Sequence, residues 1–334
     1  MGYVTSVPNR TQSPIVLSIV VPYFNEQDVL PELHSRLTAV LARLPDTSEI
    51  IYIDDGSTDS SLSVVERFIS RSSSIRSIAL SRNFGKESAT SAGLEHANGL
   101  AVIVIDADLQ DPPELIPQML DKWREGYDVV NMQRAERQGE TWFKRKSAAV
   151  FYRLLNSMVK SEIPENVGDF RLLSREVVDH INRLPERNRY MKGIFAWPGF
   201  KQATIQFQRD ARFVGETKWS YFKLVGLAVD GITSFSIRPL RMATLLGCLI
   251  AGGAFIYGMM VVVKTLLLGD PVTGYPSMMV VQLALGGIQL LSIGVLGEYI
   301  GRIFIETKQR PLYLVQSITE KPAQHQDHIT EKQA

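Results

Sequence analysis

Two stretches near the C-terminal end constrain this chain most. Residues 242–263, MATLLGCLIAGGAFIYGMMVVV, contain no charged side chain, and neither do residues 277–297. At 1.5 Å per residue the first run spans about 33 Å as a helix, enough to cross the hydrocarbon core of a bilayer. A large soluble core can bury one such helix. Two runs this long, this close together and this rich in glycine point instead to a membrane hairpin. The expected elements are a first helix over 242–263, an extracytoplasmic loop over 264–276 and a second helix over 277–300. Arg238 and Arg241 precede the first run, and Arg302, Lys308 and Arg310 follow the second. The loop has only Lys264, set against Asp270. The positive-inside rule then places both termini, and the large N-terminal domain, in the cytoplasm. Residues 301–334 form a cytoplasmic tail, expected to be disordered beyond Gln316. Residues 1–14 are a polar tail without the apolar core of a signal peptide.

The rest of the 334-residue chain is long enough for one α/β domain. A net charge of +1 gives no bulk attraction for nucleic acid. Cys248 is the one cysteine, which excludes an intramolecular disulfide, and the five histidines lack metal-ligand spacing. Over 15–235 apolar segments alternate with helical ones. IVLSIVVPYFNE, SEIIYIDDGSTDSS, IRSIALS, LAVIVIDAD and YDVVNMQR read as strands. Helices are expected at about 27–43, at about 58–70 and over KESATSAGLEHA. Continuous apolar strands between helices indicate a mainly parallel sheet covered on both faces. Ligands of such sheets bind beyond the carboxyl ends of the strands. Glu26, Asp54, Asp55, Arg82, Asp106 and Asp108 all fall at such ends and converge on one cleft.

Like-charged carboxylates at one strand end repel one another unless a cation intervenes. Asp106 and Asp108 form a D-x-D pair, an arrangement that holds Mg²⁺ or Mn²⁺ through carboxylate together with substrate phosphate oxygens. G-x-x-x-x-G-K-[ST] and G-x-G-x-x-G are absent from the sequence, which disfavours a P-loop or a dinucleotide site.

In this order, VVPYFNE, DDGSTDSS, SRNFGKESATSAGLEHANG and DADLQDPPE resemble the segments of family 2 glycosyltransferases with the GT-A fold, a Rossmann-like α/β architecture. GDFRLLSREVVD, LPERNRYMKG, VGETKWSYFKL and the two apolar runs extend the resemblance over nearly the whole chain. They point to the dolichol-phosphate mannose synthase-like branch and, within it, to bacterial polyprenyl-phosphate (bactoprenol) glucosyltransferases of the GtrB type. The resemblance implies inverting transfer of a sugar from a nucleotide-sugar to membrane polyprenyl (undecaprenyl) phosphate, for cell-envelope glycan modification. UDP-glucose leads as donor, with UDP-GlcNAc, other UDP-sugars and GDP-mannose open. It also implies a bacterial inner-membrane location and a homotetramer.

Matched motif by motif, Pro22, Tyr23 and Glu26 are expected against the nucleotide, Asp55 on its base and Lys86 near it. Packing for Tyr23 and a solvated helix start for Lys86 are the plainer alternatives. Asp106 is expected to face the ribose and the sugar, and Asp108 to ligate the metal with Gln110 as second ligand. Asp169 matches an acidic position near the sugar, orienting hydroxyls or stabilising charge at C1, with a base role second. The lipid phosphate calls for cationic forks. Arg134, Arg145, Arg212 and Lys218 are the candidates, and Arg212 begins a segment resembling a loop that closes over donor diphosphate. Arg137 and Lys144 read better as solvated charges. Residues 142–160 and 219–236 are amphipathic and fit helices lying at the bilayer interface. A processive synthase would carry Q-x-x-R-W where this chain has Glu186–Arg187–Asn188–Arg189–Tyr190. A non-catalytic nucleotide-sugar sensor on the same scaffold is the remaining alternative.

Overall fold

The computed structural model describes residues 15–135, 167–187, 189, 191–196, 199–208, 238–268 and 274–321. Its centre is an eight-stranded sheet of order β7-β5-β6-β4-β1-β2-β3-β8. The strands are β1 Leu17–Tyr23, β2 Ser48–Asp54, β3 Ile75–Leu80, β4 Ala101–Val104, β5 Val129–Arg134, β6 Val167–Ser174, β7 Gln202–Phe207 and β8 Val315–Glu320. The helices beside it are α1 Leu30–Leu41, α2 Ser61–Arg71, α3 Lys86–His96, α4 Ile116–Arg124, α5 Arg175–Asn182 and α6 Met191–Ala196. β1 pairs in parallel with β2 and β4, and β2 with β3. β6 runs antiparallel between β4 and β5, and β5 pairs in parallel with β7.

Every residue of β1 is buried, as a strand covered on both faces requires. Its side chains alternate between two cores. Leu17, Ile19, Val21 and Tyr23 pack with Leu33 and Leu37 of α1, Val65 of α2 and Met119 of α4. Val20 faces the other way, into a core with Ala89 and Ala92 of α3, Val178 of α5 and Phe195 of α6. α3 lies hard against the sheet because Gly93 has no side chain: a Cβ there would sit 2.1 Å from Val20 Cγ1.

The amino ends of the strands carry a closed polar network. Glu49 accepts hydrogen bonds from the Ser18 hydroxyl (2.6 Å), the Asn98 amide (2.8 Å) and the Arg76 guanidinium (2.8 Å). The carboxyl ends hold the candidate site.

Two long helices follow, α7 Arg238–Leu268 and α8 Tyr275–Lys308. Their apolar stretches 243–260 and 284–308 are long enough to cross a membrane, and none of the described residues in them is buried against the chain itself. Leu249, Phe255, Leu290 and Leu291 stand exposed. Exposed apolar area on this scale fits a lipid surround. Both helices outrun the expected spans: α7 by four residues at its start and five at its end, and α8 by two at its start and eight at its end.

The tail beyond Gln316 is the main departure from expectation. After α8 closes on a left-handed Gln309 (φ 47°), the chain returns to the sheet. Residues 315–320 form β8, antiparallel to β3, with Ile78 opposite Ile318. A polar segment without its own apolar run is ordered here because the open edge of β3 supplies its hydrogen-bond partners. Removing everything beyond residue 241 therefore strips an edge strand as well as the hairpin. The segments 142–160 and 219–236 lie outside the described residues.

His34 gives the domain an acid-sensitive point. Its ring stacks on Phe68 at 3.9 Å, and its Nδ1 lies 3.0 Å from the Tyr52 hydroxyl. Burial, with the Arg71 charge, pushes its pKa down to about 4. An unfolded histidine takes up its proton near pH 6.5. Between these values the unfolded chain binds more protons, so stability is complete above about pH 6.5 and falls as the pH drops toward 4. Melting temperatures of wild type and His34→Gln between pH 7 and 4.5 check this. The wild type is expected to lose more stability than the variant over that range, and parallel curves would refute it.

Candidate active site at the carboxyl ends of the strands

Three strand-end loops are sewn together by their own polar atoms. Asn25, after β1, adopts a left-handed conformation (φ 56°), which its short polar side chain tolerates. Its Oδ1 accepts from the Thr58 amide at 2.8 Å, and its own amide donates to Ser57 Oγ at 3.0 Å. The Glu26 amide donates to Ser61 Oγ at 2.9 Å. After β2, Asp54 Oδ1 accepts from the Ser57 amide at 2.9 Å. Asp55 is buried, and its two oxygens accept from the Phe84 and Gly85 amides at 2.7 and 2.9 Å. Burial pushes its carboxyl above the usual range, while those two amides hold it back. Arg82 lies over the Phe84 ring at 4.1 Å.

Gly56 makes this close approach possible. Its φ is +72°, and a Cβ would lie 2.4 Å from the Arg82 carbonyl carbon. Asp55 thus has a structural task here, tying the third loop to the second. The Tyr23 ring points into the core, edge-on to Tyr52 at 6.4 Å. Pro22 is buried beside it. The period-2 alternation of β1 already assigned Tyr23 to the face of Ile19 and Val21.

The other wall is acidic. Antiparallel register sets Val104 of β4 opposite Arg171 of β6. Two places further on, that register carries Asp106 opposite Asp169. Lys86, the first residue of α3, reaches between them. Its Nζ lies 2.6 and 2.7 Å from the two oxygens of Asp106 and 2.5 Å from Asp169 Oδ2. Burial disfavours the ammonium, but the two carboxylates outweigh it and hold the Lys86 pKa above its ordinary value. Burial raises the Asp106 pKa, opposed by Lys86 and reinforced by Asp169 and Asp108. Lys86 is thus neither a merely solvated helix start nor a remote neighbour: it is the shared counter-ion of two acids.

Leu109 follows Asp108 with φ 60°, an uncommon conformation for a bulky residue, and its side chain is buried. The turn brings the Gln110 amide to 3.1 Å from Asp108 Oδ1. Asp108 and Gln110 are both half-buried. Among the described residues no three His, Cys, Asp or Glu side chains form a metal cage. One carboxylate and one amide are hard oxygen donors, and they fit a divalent cation whose coordination is completed by phosphate and water.

Arg134 ends β5, and a Cβ on Gly168 would lie 3.0 Å from its Nη2. Arg137, Lys144, Arg145, Arg212 and Lys218 lie outside the described residues. Sequence reasoning read GDFRL for Asp169 alone. Arg171, two residues on and 3% exposed, escaped notice, although an arginine between Phe170 and Leu172 was the signal.

A carboxylate-lined cleft at the strand ends of a mixed α/β sheet, followed by two apolar helices, defines a membrane-attached enzyme with the GT-A-like fold. Residues 18–181 match the family model Glycosyl transferase family 2, and residues 238–303 match the GtrB C-terminal hairpin. The chain belongs to glycosyl transferase family 2. It is 47% identical to a bactoprenol glucosyl transferase of Shigella phage SfX, over 90% of this chain and 99% of that one. It is 46% identical to a prophage bactoprenol glucosyl transferase homolog of Escherichia coli, over 90% and 99%. An uncharacterized glycosyltransferase of Synechocystis, sll0501, is 52% identical over 91% and 96%.

Gly56→Ala tests the sewn loops. Gly126 also has positive φ (85°) but would meet nothing within 4 Å, so Gly126→Ala carries the backbone penalty without the clash. Gly56→Ala is expected to lower turnover at least about 10-fold, because a displaced positioning loop costs rate steeply. Gly126→Ala is expected to stay within about threefold. Equal effects would show that φ alone, and not the Arg82 contact, matters.

Proposed function

We propose that the protein transfers glucose from UDP-glucose to the phosphate of a polyprenyl (undecaprenyl) lipid, with inversion at the anomeric carbon. The observation that carries this reading is the near-complete overlap with relatives named bactoprenol glucosyl transferases, spanning both the cleft and the hairpin. The return of β8 to the sheet supports the topology. Because β8 pairs with β3, both ends of the hairpin lie on the side of the catalytic sheet. With Arg238, Arg241, Arg302, Lys308 and Arg310 at those ends, that side is the cytoplasm of a bacterial inner membrane. A homotetramer is the assembly the family resemblance suggests.

In this reading the acceptor phosphate is already anionic at neutral pH, since the second pKa of a phosphomonoester is about 6. It needs no general base. A phosphate oxygen forms the bond to C1 of the sugar as the bond from C1 to the diphosphate oxygen breaks, and UDP leaves. An α-linked donor gives a β-linked product. Asp106 faces the ribose and the sugar, and Asp169 orients sugar hydroxyls or offsets positive charge at C1. Lys86 bridges both acids and fixes their direction, so orientation is set before the substrates arrive. Arg134 presents a planar fork to the acceptor phosphate, joined by Arg145, Arg212 and Lys218. Asp108 and Gln110 would hold Mg²⁺ or Mn²⁺, which when bound neutralises the leaving diphosphate.

Purified protein incubated with undecaprenyl phosphate and a panel of UDP-glucose, UDP-GlcNAc and GDP-mannose tests the reaction. Glucosyl lipid from UDP-glucose is the expected product. Preferred transfer from another donor would keep the reaction and change the sugar. Donor binding without any lipid product would favour a sensor. Asp108→Asn is expected to lower transfer about 100-fold or more with the fold intact. Full activity of that variant, or of wild type in excess EDTA, would remove the metal assignment.

A further inference from the structure

Arg171 lies inside the sheet, in the middle of β6, and is 3% exposed. No carboxylate forms an ion pair with it among the described residues, and its Nε has no hydrogen-bond partner there. Its guanidinium carbon sits 4.0 Å above the Phe195 ring of α6, and its Nη2 donates to the Gly168 carbonyl at 2.6 Å. A buried guanidinium with so few partners is costly. Its sheet neighbours on that face are Leu173 and Val104, which belong to an apolar core, and Asn131 of β5, whose side-chain amide donates to Gln202. A leucine or methionine would extend that core at no such cost. The position of this charge therefore calls for a reason beyond packing.

That reason lies two residues away. Side chains at i and i+2 share a strand face, so Arg171 and Asp169 point to the same side of β6. Asp169 and Asp106 share the single ammonium of Lys86. Asp108 adds a third carboxylate within reach of their field. Asp106, Asp108 and Asp169 make this wall rich in acids, and both substrates bring further negative charge. Arg171 supplies a second positive charge from behind the wall. It also anchors the Gly168 peptide, from which the Asp169 backbone continues. Even lowered to about 10 by burial, its pKa leaves it charged at neutral pH.

We propose that Arg171 is a positioning residue for sugar transfer: it fixes the Gly168 carbonyl and, through backbone and charge, aims the Asp169 carboxylate at Lys86 and the donor sugar. The role rests on Asp169 serving the transfer. It makes Arg171 silent when Asp169 cannot be charged, which a packing role would not do.

A double-mutant cycle on the full-length protein in lipid nanodiscs tests this. The variants are Arg171→Met, which keeps volume without charge, Arg171→Lys, which keeps charge without the fork, Asp169→Asn, and the Arg171→Met/Asp169→Asn double. Turnover, UDP affinity and UDP-glucose affinity are measured for each. Arg171→Met is expected to lower turnover about 30-fold with UDP affinity within about threefold of wild type, and Arg171→Lys to recover part of the loss. In the Asp169→Asn background, Arg171→Met is expected to change turnover and UDP-glucose affinity by less than about threefold. Equal losses with and without Asp169, or wild-type turnover in Arg171→Met, would overturn the proposal.

If Arg171→Met does not fold, Phe195→Leu decides by the same criterion. It removes the ring beneath the guanidinium and leaves the charge, and its loss must also vanish without Asp169. A wild type that transfers no sugar to lipid phosphate would instead refute the proposed reaction, and the UDP-glucose affinity cycle would still judge Arg171.

Discussion

One ammonium between two carboxylates organises the site. Asp106 ends a parallel strand and Asp169 begins an antiparallel one, and only the β4–β6 seam makes them neighbours. Left to themselves, two such acids would splay or take up a proton. Lys86 opposes both, and it can do so because α3 starts where the third strand-end loop stops. That loop is held by Asp55 through the Phe84 and Gly85 amides, and Asp55 is reached only because Gly56 admits the backbone of Arg82. The chain of dependence runs from a glycine without a side chain, through a buried acid, to the first residue of a helix. The ionic centre of the cleft is its last link.

The two ends of the sheet make opposite use of charge. At the amino ends, Glu49 is surrounded by donors from Ser18, Asn98 and Arg76, so the network closes on itself and contributes to stability alone. At the carboxyl ends, Asp106 and Asp169 share Lys86 beside Asp108, and the site is shaped to be completed by a cation and the substrates it holds. A left-handed Leu109 beside Asp108 carries strain of the kind that surrounding structure must hold in place. Such strain and clustered charge lie together at the end of the sheet where α/β proteins bind ligands.

This division also explains what could be read from the chain. β1 to β5 were legible because each carries an apolar run bounded by turn residues, and α1 to α3 between them were legible too, whereas α4 was not. The hairpin was legible from its missing charges. β6 was not, because GDFRLLS mixes glycine, acid and arginine where the site interrupts the strand pattern. β7 was missed although QATIQF alternates polar and apolar residues, because it is short and carries no continuous apolar run like those of β1 to β4. β8 was read as disorder because its pairing is decided by β3, more than 200 residues earlier, and by nothing within VQSITE itself. Among site residues, the D-x-D spacing brought out Asp106 and Asp108, and the family resemblance brought out Asp169. It left the work of Lys86 open and Arg171 unseen, since both depend on contacts across the fold.

The same distant pairing bears on how the membrane part meets the chemistry. Glu306, in the last turn of α8, accepts from the Arg187 amide at 2.9 and 3.0 Å. Arg189 donates to Ser91 of α3 at 3.1 Å and to the Leu184 carbonyl at 3.1 Å. The Tyr313 hydroxyl donates to Glu95, also on α3. β8 then closes on β3, beside the loop that leads to Lys86. The exit of the hairpin is thus tied to the helix whose first residue joins the two acids. An anchor needs only one flexible link to its enzyme. Here the chain makes contact before, within and after its return to the sheet, which fixes the cleft relative to the hairpin. For an acceptor whose phosphate is confined to the headgroup plane, that fixed relation is itself a means of orientation, because it removes freedom that would otherwise be lost on each encounter.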